Sequence, residues 1–251
     1  MPDHFPLDEF ARKRFAYRAG HHVAFFGPSQ IAGKTTTAFY LLGHVISPEM
    51  PATVLVMKHR DRTVAGWSRR LGLRETPSWP PPRRLRDIGH DKPAGYVLWP
   101  PQTLTNVDAD NDRLGREFRV AISHNRRHVP SITFADEIYG LIAELDMRTL
   151  LTAVITRDSG AGHGMWYASQ KPSGTQGVSL PGFLFNNAEH MFLSKDGEER
   201  NRRRYGEIAC GISPAEIERQ TLQLEPYSWL YIRRTGPEWA IVDAYDPSLA
   251  M

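Results

Sequence analysis

Short, mostly apolar runs recur along the chain: Val23–Phe26, Ala52–Met57, Tyr96–Trp99, Ser131–Ala135, Met165–Ser169 and His190–Leu193. They are rich in β-branched and aromatic residues, too short for helices, and end on glycine, proline or polar residues, which predicts buried strands. Between them the apolar residues are spaced by three or four. That spacing predicts helices at Leu7–Ala19, after Gly33, at 61–72 with Val64, Trp67 and Leu71 inward, at Asp108–His124 with Leu114, Phe118 and Ile122 inward, and at 138–156. Strands alternating with helices predict an α/β fold with a mainly parallel sheet flanked by helices. The segment from Val23 to Met57 reads as a βαβ unit with parallel strands and a right-handed crossover. Residues 74–93, rich in proline and arginine, predict an exposed loop or insertion. Near the C-terminus, Ser213-Pro214 caps a helix over Ile212–Leu224. Trp229–Ile232 and Trp239–Val242, flanking Thr235-Gly236-Pro237, predict a β-hairpin. The pattern suits one domain over residues 1–251, with a helical extension at 1–20 and the helix and hairpin within 206–251.

The most informative stretch is His22 to Leu42, HVAFFGPSQIAGKTTTAFYLL. A strand stops at Gly27, a loop follows, and Gly33-Lys34-Thr35-Thr36 opens a helix, the layout of a phosphate-binding P-loop. Backbone N–H groups at a helix start and the positive end of its dipole suit phosphate oxygens. Gly27 and Gly33 permit the turn and close backbone approach. Lys34 is placed to reach the β- and γ-phosphates of ATP, Thr35 to ligate Mg²⁺, and Thr36 to line the same cradle. The spacing is irregular, because five residues separate the glycines where the usual pattern has four. Counted strictly, Pro28 takes the first glycine's place.

A second signal closes the strand Ser131–Ala135 with Asp136-Glu137. Downstream of a P-loop this is a Walker B pattern, with Asp136 holding Mg²⁺ and Glu137 activating the attacking water. Its structural alternative is a helix cap for Ile138 onward. A third strand ends Ala168-Ser169-Gln170-Lys171-Pro172-Ser173. A polar Gln170 at the C-terminal end of a strand beside the P-loop is placed to meet the γ-phosphate, because ligands collect at that edge of an open α/β sheet.

Bulk properties exclude more than they assign. No apolar run approaches the ~20 residues that span a bilayer, and the N-terminus lacks the apolar core of a signal peptide. The single cysteine, Cys210, rules out an intrachain disulfide and reads as a small buried apolar residue. These features predict a cytoplasmic protein. Net charge is only +3, yet arginines cluster at Arg69-Arg70, Arg83-Arg84-Arg86, Arg126-Arg127, Arg202-Arg203-Arg204 and Arg233-Arg234. Arginine's planar fork suits phosphate on either a nucleotide or DNA, while a solvated surface accounts equally for any one cluster.

Together, Gly33-Lys34-Thr35, Phe134-Ala135-Asp136-Glu137, and Arg157, Gly160 and Ala168 to Ser173 resemble the HerA/FtsK branch of the additional-strand P-loop ATPases, over roughly residues 20–205. That branch includes DNA translocases, conjugative coupling proteins and viral genome-packaging ATPases. The resemblance implies a RecA-like P-loop NTPase fold, ATP and Mg²⁺ as cofactors, and Gln170 as a polar sensor. It implies a ring, hexameric or pentameric, with an arginine supplied across the interface: Arg157, or one of Arg202, Arg203 and Arg204. It further implies double-stranded DNA as a partner through backbone contacts, and a portal, capsid or transfer-channel protein as another. The expected activity is an ATP-hydrolysing DNA translocase, in viral genome packaging or mobile-element transfer. The alternatives are an ATP-binding switch or scaffold with little turnover, and a small-molecule kinase.

Overall fold

The structure, a computed structural model, describes residues 2–28, 32–82, 93–170, 172–174, 179–208, 210–236 and 238–243. Lys171 of the third strand-end motif, Pro237 of the predicted hairpin turn and the cluster Arg83, Arg84 and Arg86 lie outside the described residues. The strands in chain order are β1 (Asp3–Phe5), β2 (Val23–Phe26), β3 (Ala52–Leu55), β4 (Arg74–Thr76), β5 (Gly95–Leu98), β6 (Ser131–Ala135), β7 (His163–Ser169), β8 (His190–Ser194), β9 (Trp229–Arg233) and β10 (Glu238–Val242). The helices are α1 (Leu7–Lys13), α2 (Lys34–Gly43), α3 (Arg62–Arg70), α4 (Val107–Arg127), α5 (Ile138–Ala143), α6 (Arg148–Arg157), α7 (Phe183–Asn186), α8 (Glu199–Tyr205) and α9 (Pro214–Gln223). The fold is α/β, a mostly parallel mixed sheet flanked by helices, as the apolar pattern predicts. No helix among the described residues is long and apolar enough to cross a membrane.

The chain divides into two compact units. Unit one holds Met1–Tyr17, His22–His44 and Ala168–Met251, and unit two holds Arg18–His21 and Val45–Tyr167. In unit one β2 pairs in parallel with β8, and β8 continues into the antiparallel hairpin β9–β10. The predicted hairpin therefore extends the sheet. Its outer edge is covered by β1, which pairs in parallel with β10. Sequence reading misses β1 because three residues, Asp-His-Phe, carry no periodicity. Arg233 pairs with Glu189 at 3.3 Å. Every residue of β2 and β8 is buried, as expected for strands covered on both faces. The core is aromatic: Phe25 stacks on Phe192 at 4.8 Å, and Phe10 of α1 meets Tyr231 edge-on at 4.6 Å. His190 Nδ1 lies 2.8 Å from the Tyr231 hydroxyl, which satisfies both polar groups inside that cluster. Cys210 is buried, as its reading as a small apolar residue requires.

Unit two is built from parallel strands: β6 pairs with β7 and β3, and β5 with β3 and β4. Thus β3 pairs with β5 and β6, and in unit one β2 pairs with β8. Gly95 is required where β5 meets β3, because a Cβ there would lie 2.2 Å from the Ala52 carbonyl oxygen. The start of the predicted 74–93 loop is instead the strand β4. Buried Thr76 and the bond from Trp99 N–H to its carbonyl (2.8 Å) hold that strand despite the prolines that follow. The predicted helix over 138–156 is two helices. The chain turns at Asp146, whose φ is +47°, and Arg119 donates to its carbonyl oxygen at 3.2 Å. On α3, Val64 is inward as predicted. Ser68, however, takes the second buried position by donating to the Val64 carbonyl at 2.6 Å, and half-buried Trp67 lies under Arg70 at 5.0 Å.

Candidate functional site

In unit one the site grows from the end of β2. Gly27 is fixed by crowding: a Cβ there would lie 1.9 Å from Ser194 Oγ and 2.9 Å from the Ala32 Cβ. Its N–H donates to the Ser169 carbonyl at 3.1 Å, so half-buried Gln170, the next residue, follows directly on the partner of Gly27. Gly33 has φ +65° and ψ +28°, a left-handed conformation that favours glycine, and from it α2 begins. The first turn of α2 contains no acid, and Gly33 has no side chain with which to cap it. Lys34 is 9% exposed and folds back toward the end of β2, donating from Nζ to the Gly27 carbonyl at 2.7 Å and the Pro28 carbonyl at 3.0 Å. The ammonium thus sits at the mouth of the turn, with half-buried Thr35 and Thr36 next to it.

The segment after Gln170 is tethered. Ser173 donates from its N–H (3.2 Å) and its hydroxyl (2.6 Å) to Asn201 Oδ1. Asn201 is buried, and its own amide donates to Asp196 Oδ2 at 2.9 Å, an oxygen also bonded by the Tyr205 hydroxyl at 3.2 Å. Burial, with the Asp196 charge beside it, pushes the Tyr205 phenol well up. The arginines of α8 are now separable. Arg202 donates to the Asp196 carbonyl at 2.9 Å and approaches Glu218 at 3.4 Å. Arg204 donates to the Leu180 carbonyl at 2.6 Å and lies over Phe185 at 4.9 Å. Arg203 faces solvent, paired with Glu199 one turn back, as the plain surface alternative predicts.

In unit two, β6 is buried throughout and delivers Asp136, 6% exposed, at its C-terminal end. Glu137 is the N-cap of α5, where its Oε1 accepts from the Tyr139 N–H at 3.3 Å; the capping alternative is realised. Sequence reading missed Lys58, which follows β3. Its Nζ lies 3.3 Å from Asp136 Oδ2 and 2.8 Å from Asp61 Oδ2, and Asp61 caps α3. Burial lowers the Lys58 pKa, but the charges of Asp136 and Asp61 outweigh it and hold the amine above its ordinary value. The available signal was a lysine at the end of a strand, three residues before a capping aspartate. Trp99 Nε1 donates to the Lys58 carbonyl at 2.7 Å, which fixes that backbone. Arg157 ends α6 exposed, with no ion pair among the described residues. Its neighbour Asp158 is buried and bonded by Arg126. Among the described residues no three His, Cys, Asp or Glu side chains converge as a metal cluster.

In fold the chain is similar to solved structures of P-loop NTPases. It is similar to the genome-packaging NTPase B204 of Sulfolobus turreted icosahedral virus 2, solved with sulfate, at 15% identity and a TM-score of 0.58, covering 92% of this chain and 99% of that one. It is also similar to VirB4 of Thermoanaerobacter pseudethanolicus, at 11% identity and a TM-score of 0.65, covering 92% and 91%. A third is the pCW3 conjugation coupling protein TcpA, a monomer form with ATPγS, at 14% identity and a TM-score of 0.56, covering 92% of this chain and 62% of that one. No protein-family model and no curated protein matches the chain in sequence.

Proposed function

We propose that this protein is an ATP-hydrolysing motor that moves double-stranded DNA, in viral genome packaging or mobile-element transfer. The observation that carries the reading is the bond from Gly27 N–H to the carbonyl of Ser169, the residue before Gln170, at the end of β2 toward which Lys34 folds back. The likeness in fold to B204, VirB4 and TcpA supports the choice of DNA over a small-molecule substrate.

In this reading Gly27, Gly33, Lys34, Thr35 and Thr36 hold the triphosphate. Lys34 exchanges its two carbonyl partners for phosphate oxygens, and Gln170 contacts the γ-phosphate. Hydroxyl and carboxylate oxygens are donors that a hard divalent cation takes. Thr35 brings a hydroxyl, and the buried carboxylate of Asp136 already faces an ammonium, that of Lys58. When bound, Mg²⁺ supplies charge neutralisation at the phosphate oxygens. Glu137 accepts the proton of the attacking water, releasing Tyr139 N–H as it does so. Arg157 or Arg203, both turned to solvent, supplies positive charge to a neighbour in a pentameric or hexameric ring. A portal, capsid or transfer-channel protein receives the assembly. DNA is gripped by its phosphates without base readout.

The test is ATP turnover of the purified chain with and without linear duplex DNA. Stimulation by DNA that falls as salt rises is the expected result. Turnover that ignores DNA in every oligomeric state rules the motor out.

A further inference from the structure

The residues of the nucleotide reading leave one exposed aromatic beside the phosphate loop unused. Tyr227 is 48% exposed, and its Cδ1 lies 3.4 Å from the position a Cβ would take on Gly33. It belongs to a tight turn, Glu225-Pro226-Tyr227-Ser228, closed by the Ser228 N–H donating to the Glu225 carbonyl at 3.2 Å. Proline in the second position of such a turn is favourable, but the third position has φ +67°, where glycine or asparagine is the comfortable choice. A bulky aromatic held in the left-handed region is strained, and residues of that kind concentrate at ligand clamps.

The turn is not loosely placed. Leu224 before it and Trp229 after it are buried, and Trp229 Nε1 donates to Thr37 Oγ1 in the first turn of α2 at 3.1 Å. The same helix therefore carries the phosphate loop at its start and anchors the strand that presents the tyrosine. A ligand with phosphates at Lys34 and a flat ring attached to them meets both features.

We infer that Tyr227 is the stacking platform for the base of the bound nucleotide. This rests on the nucleotide reading above and adds the residue that recognises the base. Stacking on a phenol ring tolerates any purine, because each purine presents a π-face. The side chain discriminates a nucleoside triphosphate from a bare polyphosphate.

The test is calorimetric titration of the full chain in Mg²⁺ buffer with two probes, AMPPNP and inorganic tripolyphosphate. Wild type is compared with Tyr227→Ala, Tyr227→Gly and Tyr227→Phe. Loss of the ring is expected to weaken AMPPNP about tenfold in the Ala and Gly variants and to leave the Phe variant near wild type. Tripolyphosphate affinity should be the same in all four. Tyr227→Gly should also melt higher than wild type, since glycine relieves the positive φ. AMPPNP affinity unchanged in Tyr227→Ala overturns the assignment, as does an equal loss for both probes. A wild type that binds neither probe overturns the nucleotide reading along with it.

Discussion

Lys58 Nζ stands 3.3 Å from Asp136 Oδ2, so the strand-end carboxylate expected to meet a metal already faces a cation of its own chain. Asp136 is almost wholly buried and Lys58 about half exposed, so the pair is screened on one side only. Lys58→Met removes a charge-assisted bond worth about 1 kcal/mol after that screening. For a chain of this size the melting temperature should fall by about 2–4 °C without metal. If Mg²⁺ takes this carboxylate, as proposed, it competes with the ammonium, and the variant should also bind Mg²⁺ in the nucleotide complex more tightly than wild type. Equal Mg²⁺ midpoints in a thermal-shift titration would mean that Lys58 does not compete.

A second carboxylate makes stability depend on pH. Burial pushes the Asp158 carboxyl up, but the close approach of His163 and Arg126 outweighs it and holds the group below its ordinary value. The folded state thus favours the charged form. The stabilisation is fully present above the unfolded pKa, near 4, and is lost as pH falls through the lower folded value. Asp158→Asn should therefore be less stable than wild type by about 1–2 kcal/mol at pH 7, and the gap should close below about pH 4. Urea midpoints across that range measure it; a gap that does not begin to narrow below about pH 4 counts against the ion pair as its source.

The strands β2, β6, β7 and β8 are legible because burial on both faces writes a mostly apolar run that stops at glycine or a polar residue. Gly33 is legible because its left-handed conformation restricts the residue type. What escapes is set by tertiary contact. β4 reads as loop because Arg-Glu-Thr has no apolar alternation, and its place comes from the bond between Trp99 and Thr76. The break at Asp146 interrupts a helical period without glycine or proline. Lys58, Asn201 and Tyr227 meet partners 78, 28 and 194 residues away, at Asp136, Ser173 and Gly33. No local pattern records such pairings.

The arginines divide by what they touch. Arg202 and Arg204 hold carbonyls and ring faces of their own unit, so Arg202→Ala and Arg204→Ala should each lower the melting temperature. Arg157 and Arg203 face solvent, and their alanine variants should melt like wild type. If Arg157 acts on a neighbour's nucleotide, Arg157→Ala keeps nucleotide affinity while turnover falls at least about a hundredfold. Mixing it with Glu137→Gln protomers should restore part of the activity. Full turnover in Arg157→Ala moves the role to Arg203.

Asn201 tests whether the tether on Ser173 matters to chemistry. Asn201→Ala leaves two Ser173 donors and an Asp196 oxygen without this partner, at a cost of about 1–3 kcal/mol. Because the tether begins three residues after Gln170, turnover should drop more than nucleotide affinity, a fall in kcat with KM little changed. A purely structural role predicts parallel losses in stability and in the active fraction, with kcat per active site unchanged.

Glu137 has two duties that a pair of substitutions separates. Its carboxylate accepts the Tyr139 N–H at the start of α5, and in the proposed reaction it takes the proton of the attacking water. Glutamine keeps an amide oxygen that can accept the same bond, so Glu137→Gln should melt close to wild type, whereas Glu137→Ala loses the cap and about 1 kcal/mol. Glutamine cannot take up a proton. Turnover in both variants should therefore fall by about 10²–10⁴, with AMPPNP affinity preserved in Glu137→Gln. Steady-state hydrolysis beside calorimetric binding reads the two duties apart. A Glu137→Gln enzyme that turns over normally leaves Glu137 as a helix cap and nothing more.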